Sequence, residues 1–576
     1  MKGQKRYGRK VWRMRTSTEA IVILALLLPG IGSCGSPTKA VPTHVRLQEE
    51  RARLSSKDRI ERGNAANALG NMGELAMPAV EALMAACDDE DLFVRWAAYD
   101  ALGKMRDRRA LDPLVAALED NRNEKNNRCA AIGALGKLGD VRAVTPLLCH
   151  AGEFPGGVEE VACLMAVRSL GVEAVEPLVE AAKDDDEKVR AHAVQVLGMI
   201  GETLDRPQAV EPLAEAAKDD DEGVRAHAVR ALGIIGETCD EPQVVPVLIQ
   251  ALADGSEHVR GVAASYLGRI KSPAAVDRLI TALDDPSWSV RQDACFALGA
   301  IGDVRTIGPL MAALKDEAWR VRCAAASSLG AFREPRAVEA LVAAIDDKTE
   351  RTVVEALGKI GDSRGFEPVL QALGDDRMDI RVAAAEALGK LADERGVKPL
   401  EALLEKERDT RLRITIMLAL SRIEGRPDRA ALAAAIEDED DEVRYLASQT
   451  LVNRQDATLD DIATALTSED RRVRYSAVGK LADLNDSRAV ELLIRTLRDP
   501  DDRVRRVAVR ALARLGDARA VEPLIAVLKE EADEGFRYED IRDVVAEALR
   551  ELTGRNFGHL HTEWSAWWRQ HKRSFT

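Results

Sequence analysis

The residues of this chain best suited to ligate a metal or act as nucleophiles are eight histidines and eight cysteines, and their spacing argues against both roles. His559, His561 and Glu563 alternate near the C-terminus, with His571 beyond, in a spacing that matches no zinc motif. His192 and His227 stand at the same place in two near-identical segments, so a shared metal or anion site competes with inherited packing, and packing is the expectation. Cys87, Cys129, Cys149, Cys163, Cys239, Cys295 and Cys323 are scattered without a CxxC pair, which suits small core residues and not a disulfide framework. The acidic turns Asp184-Asp185-Asp186-Glu187 and Asp219-Asp220-Asp221-Glu222 lack the central Gly and terminal bidentate Glu of a calcium loop, and read as caps on helix N-termini. Walker A, HExxH and GxSxG signatures are absent. The expectation is a chain with no catalytic residue, no metal and no cofactor.

The elements that carry these residues follow from a repeat. An Arg followed by Leu seven positions on recurs fourteen times between Arg62 and Arg542, and two further segments align with Cys163 and Glu350 in the Arg position. Sixteen units at spacings of 27 to 37 residues have the period of helix-pair solenoids, not of heptad coiled coils or propeller blades. In the unit that opens Gly516-Asp517-Ala518-Arg519, apolar residues at Val521, Leu524, Ile525 and Leu528 make one stripe of a first helix, with Pro523 near its start. Gly-Asp-x-Arg turns at 139–142, 302–305 and 361–364 mark similar joints, Gly ending one helix and Asp capping the next. The second helix runs Arg381 to Leu391, with small Ala residues where helices touch and Gly389 allowing close backbone approach. Residues 174–202 and 209–237 are near copies, the mark of a duplication.

Composition agrees. Apolar residues make up 46%, charged residues 31% and aromatics only 4%, a balance suited to thin layers of packed helices with a solvated exterior. The net charge is −15; residues 1–34 hold seven Lys/Arg and one Glu, so the remainder carries 75 basic against 96 acidic residues, −21. Such a surface repels polyphosphate, and no basic run interleaved with aromatics offsets it, so no nucleic-acid partner is expected.

The repeat resembles the HEAT family, most closely the short bacterial HEAT-like repeats first associated with phycobilisome lyases, over about residues 45–552. The resemblance implies an all-α, HEAT-type α-solenoid: a superhelix of about sixteen helix pairs, with a concave face lined by the second helices that takes a protein or peptide. It also implies that the recurring Arg bonds acidic groups and carbonyls between neighbouring units. On the second helices the position after the Arg varies in chemistry and holds Trp96, Tyr445 and Tyr475, the expected partner contacts. Trp288 and Trp319, just before their helices, are expected to act as staples. Residues 553–576, with Trp564, Trp567 and Trp568, resemble a tail that closes such arrays. Deoxyhypusine hydroxylase, a HEAT-like metalloenzyme with repeated His-Glu pairs, is excluded because no His here precedes Glu. A phycobilin lyase remains an alternative on repeat type alone.

The N-terminus separates these readings. Seven Lys/Arg precede the apolar run Ile21–Leu28, the order of a secretory signal, and the run is too short to span a bilayer. Ile31-Gly32-Ser33-Cys34 resembles a bacterial lipobox, which implies a lipoprotein signal peptide over residues 1–34 cut before Cys34, lipidation of Cys34 as the new N-terminus, and anchoring in a bacterial envelope membrane. Gly35 after the Cys favours the outer membrane by the same resemblance, and residues 35–44 form a tether reaching at most about 30 Å. The expected function is a non-catalytic protein–protein interaction scaffold on the periplasmic side, with a secreted soluble binder as the alternative.

Overall fold

The computed structural model describes residues 43–204, 209–238, 243–423, 429–454, 457–483, 488–530 and 541–575. Cys34 and its leader, most of the tether, and Cys239 therefore lie outside the described residues. Among those described, every regular element is helical, and helices fall into sixteen pairs, from Thr43–Arg53 with Arg59–Met72 to Val521–Glu530 with Ile541–Thr553. The chain divides into two compact units, one built from residues up to His150 with Gly156–Ser169, the other from Ala151–Pro155 and from Leu170 onward. Each is a stack of helix pairs, the all-α repeat solenoid that the sequence predicts.

The joints form as their chemistry dictates. Gly302, Gly361 and Gly516 end their helices at φ of 78°, 76° and 68°, the left-handed region that glycine enters without a Cβ penalty. Arg106, Lys271, Arg333 and Ala392 take the same conformation, at 54°, 57°, 53° and 52°, without being glycine. The next Asp then caps a turn of 3-10 helix: Asp303 accepts from the Arg305 N–H at 2.9 Å and Asp517 from the Arg519 N–H at 2.8 Å. The Arg side chain folds back on that carboxylate and also reaches an acid on the preceding first helix, as Arg305 does to Asp277 at 3.2 Å and Arg395 to Glu367 at 3.3 Å.

Many second helices lie side by side with a glycine of one against a small residue of the next, as Gly103 against Ala134 and Gly358 against Ala387. A Cβ built on Gly389 would sit 2.7 Å from Cα of Ala419 on the following second helix, so glycine there is a requirement of the close approach.

The recurring Arg closes a seam between turns. Arg260 donates through Nη1 to the carbonyls of Asp254 and Gly255 at 2.9 and 3.1 Å, fixing its own turn. Through Nε and Nη2 it grips both oxygens of Asp285 in the next turn at 2.6 and 2.8 Å. The Asp285 carbonyl in turn accepts from Arg291 at 2.9 Å, and Arg291 grips Asp316. This alternation runs unbroken from Arg190 through Asp219, Arg225 and Asp254 to Arg322 and Asp346. The bidentate, charge-assisted form suits a planar guanidinium. Burial alone would push the Asp219, Asp254 and Asp285 carboxyls up, but the guanidinium beside each, together with a backbone N–H bond, outweighs it and holds the carboxyl below its usual range.

One rung is inverted. Glu350 stands in the Arg position, and the next turn supplies the cation: Arg377 bonds Glu350 and also donates to the Asp347 carbonyl at 2.7 Å.

Candidate functional site

Among the described residues, the cysteines, histidines and acidic turns singled out by type stand apart from one another or serve the fold. Burial pushes the Cys87 and Cys295 thiols up to about 12 and that of Cys163 higher still, so none is a thiolate nucleophile. Among the described residues no three His, Cys, Asp or Glu side chains converge as metal ligands. His559 faces Asp543 at 2.7 Å, and His192 and His227 are half-buried in their helices. The acidic turns act as caps and seam acceptors: Asp186 accepts from the Lys188 N–H at 2.8 Å, and Asp219 is held by Arg190. A recess lined by Lys218, Asp219, Arg225, Gln250 and Asp254 opens beside the seam, but Asp219, Arg225 and Asp254 already serve that seam and Lys218 pairs with Glu215. His150 and Glu159 form a buried pair at 2.9 Å that Arg128 completes from the neighbouring helix; it was not legible beforehand because the three residues lie on three helices.

The exposed face of the second helices is different. Counted from the recurring Arg, positions −3, +1 and +5 lie four residues apart and so share one stripe. That stripe carries Trp288 and Trp319 at −3, Trp96 and Tyr475 at +1, and Phe296 and Leu418 at +5. Trp288, Trp319, Phe296, Leu418 and Tyr475 are 43%, 37%, 46%, 37% and 49% exposed, unusually open for side chains of their size.

The three residues expected to touch a partner fare differently. Tyr475 is the most exposed of the stripe. Trp96 is half-buried and stacks on Phe93 with centroids 6.4 Å apart, while Phe93 fills the space above Gly63 of the preceding second helix. Tyr445 packs against the apolar core below it, and the Arg472 guanidinium lies 4.9 Å over its ring. Tyr445 and Tyr475 stand on neighbouring second helices, Asp441–Val452 and Arg471–Asp483, whereas Trp96 belongs to the first unit. Trp288 and Trp319 are not staples: each opens its helix with its ring in solvent, and Arg320 lies 5.1 and 4.8 Å from the two ring centres. Phe296 and Leu418 lie one four-residue step beyond position +1, on the same helix face.

At the C-terminus, helix His561–His571 buries Trp564 and Trp568 in the apolar core of the last pairs. Trp564 donates to the Gly558 carbonyl at 2.8 Å and meets Phe557 edge-on at 4.9 Å. Among the described residues no helix is long and apolar enough to cross a membrane.

Comparison with known proteins agrees with this geometry. No match is found among curated proteins. Among solved structures, the chain is similar to Kap95p in a study reporting that its binding induces the switch loops of RanGDP to adopt the GTP-bound conformation; identity is 14%, the TM-score 0.55, and the match covers 92% of this chain and 84% of that one. It is similar also to importin beta at 14% identity and a TM-score of 0.51, over 93% of this chain and 89% of the other. Identities this low speak for a shared fold alone. The profile described as HEAT repeats matches residues 50–127, 160–232, 175–254, 224–288, 276–353, 346–421, 429–495 and 459–550, and that described as a PBS lyase HEAT-like repeat matches 128–148. With stacked helix pairs joined by an Arg seam and matches over most of its length, the chain belongs to the HEAT-repeat family.

Proposed function

We propose that this protein is a non-catalytic interaction scaffold that holds a partner protein or peptide on the face of its second helices. It is tethered through a lipid on Cys34 to the periplasmic side of a bacterial envelope membrane, the outer membrane in preference. The observation that carries the binding reading is the stripe of large side chains on the second helices, where Trp288, Phe296 and Tyr475 are 43%, 46% and 49% exposed. Kap95p, a solenoid of the same fold, engages RanGDP, which supports a binding role for this architecture. The anchor rests on the cationic and apolar order of the leader and on Ile31-Gly32-Ser33-Cys34.

Tyr475→Ala separates binding from folding, because its ring is 49% exposed. Capture of partners from envelope extracts should fall while helical circular dichroism is unchanged; undiminished capture would remove this face from consideration. For the anchor, labelled palmitate should enter the wild-type chain and not Cys34→Ala, and an unlabelled wild type sinks it.

A further inference from the structure

The seam has a gap in its C-terminal stretch. Arg413 reaches Asp438 in the next turn at 3.1 Å, and Arg474 grips both oxygens of Asp499 at 2.7 and 3.0 Å. Between them, Arg444 still fixes its own turn, donating through Nη1 to the Asp438 carbonyl at 2.6 Å. Six residues before Arg474, however, where Asp254 and Asp285 precede Arg260 and Arg291, stands Ser468. Its hydroxyl keeps the work that stays within the turn, accepting from the Asp470 N–H at 3.2 Å as Asp285 accepts from the Ser287 N–H at 2.8 Å. It has no second oxygen with which to hold a guanidinium in bidentate fashion. Arg444 bonds instead to Asp441 on its own helix, and its Nε is buried with no hydrogen-bond partner among the described residues. Asp470 in that next turn is taken by Arg472 at 2.9 Å.

The packing of this joint is weaker as well. Ser448, one helical turn after Arg444, is fully buried with its hydroxyl unpartnered among the described residues, where the repeats before and after carry Met417 and Val478. Gly389 lets its helix touch Ala419, but the matching residue of Asp441–Val452 is the branched Val452. The polar bonds that do cross to the next pair lie towards solvent: Arg472 reaches Glu442 at 3.0 Å and the Asp441 carbonyl at 2.9 Å, and Gln449 donates to Ser476. The Arg472 and Glu442 side chains are 42% and 47% exposed, against 11% and 6% for Arg474 and Asp499 one rung on, so salt screens the first pair far more than the second. We infer that the joint between Asp441–Val452 and Arg471–Asp483 is a hinge of the solenoid, left free by the missing seam carboxylate and latched from the solvent side by Arg472, so that ionic strength opens it. A stack of repeats held by nearest-neighbour interfaces yields first where an interface is weak. Tyr445 and Tyr475 stand on its two sides, so the hinge sets the spacing of these rings with or without a partner bound.

Hydrogen exchange of the full chain, followed by mass spectrometry, tests the hinge. Raising sodium chloride from about 0.05 to about 0.5 M should speed exchange of the amides in 441–476 about threefold and leave those in 254–291 unchanged. Ser468→Asp, which supplies the missing carboxylate, should slow the same amides about tenfold at either salt concentration. Arg472→Ala should bring their exchange at low salt up to the rate the wild type shows at high salt. A wild type whose exchange there ignores salt overturns the hinge, as does an Arg472→Ala chain that keeps the slow rate. So does a Ser468→Asp chain that exchanges as fast as wild type, or that loses helicity because the turn has no room for an acid.

Discussion

A guanidinium in the seam has two jobs, because Nη1 fixes the carbonyls of its own turn while Nε and Nη2 hold the carboxylate of the next. The Arg260 and Asp285 side chains are only 11% and 8% exposed, so water screens the pair poorly. Arg260→Ala should therefore destabilise by about 2–3 kcal/mol in denaturant unfolding, more than a surface ion pair is worth. The pH dependence has a definite sign. Asp285 is held below its usual range, so the pair contributes fully above the ordinary carboxylate range and fades as pH falls through it. The gap between wild type and Arg260→Ala should narrow in acid; a gap constant down to pH 3 would show that the carboxylate is not its source. The seam was legible in the sequence because an Arg recurs at the same place in fourteen of the sixteen repeats. The buried pair of His150 and Glu159 was not, since the two stand on different helices and Arg128 completes the pair from a third.

Helices and their joints follow from local signals, and so sequence reasoning placed them well: glycine ends a helix, Asp caps the next turn, and an apolar stripe marks the buried face. What it could not place was the replacement at Glu350. An acid in the Arg position looks like a lost rung, yet the next turn carries Arg377, and the pair survives with its charges exchanged. The pattern of one helix does not contain its neighbour's answer. Glu350→Arg should therefore lower the denaturant midpoint of unfolding, by setting two guanidinium groups against each other. Adding Arg377→Asp should recover at least half of the loss. If the two changes are simply additive in unfolding experiments, the inverted rung contributes nothing.

Across the molecule, stability in such stacks is a sum of repeats and the interfaces between neighbours. Removing one whole repeat in phase should thus cost little. Deleting Val189–Gly223, thirty-five residues, joins Lys188 to Val224 and sets Arg225 six residues after Asp184, where Arg190 had been, with Asp254 still ahead of it. Deleting only Val189–Lys218, thirty residues, instead leaves two acidic turns in tandem with a single Arg. The first variant should keep its helicity per residue and its resistance to limited proteolysis, and the second should lose both; equal resistance would mean that phase does not matter. The seam also bears on how such a chain changes over generations. Each carboxylate that closes a rung arrives with the following repeat, so the heritable unit is a guanidinium together with the turn that answers it. Copy number can drift by whole units without stranding a charge, as the near-identical segments 174–202 and 209–237 illustrate, while any cut that parts an Arg from its carboxylate is exposed to selection at once.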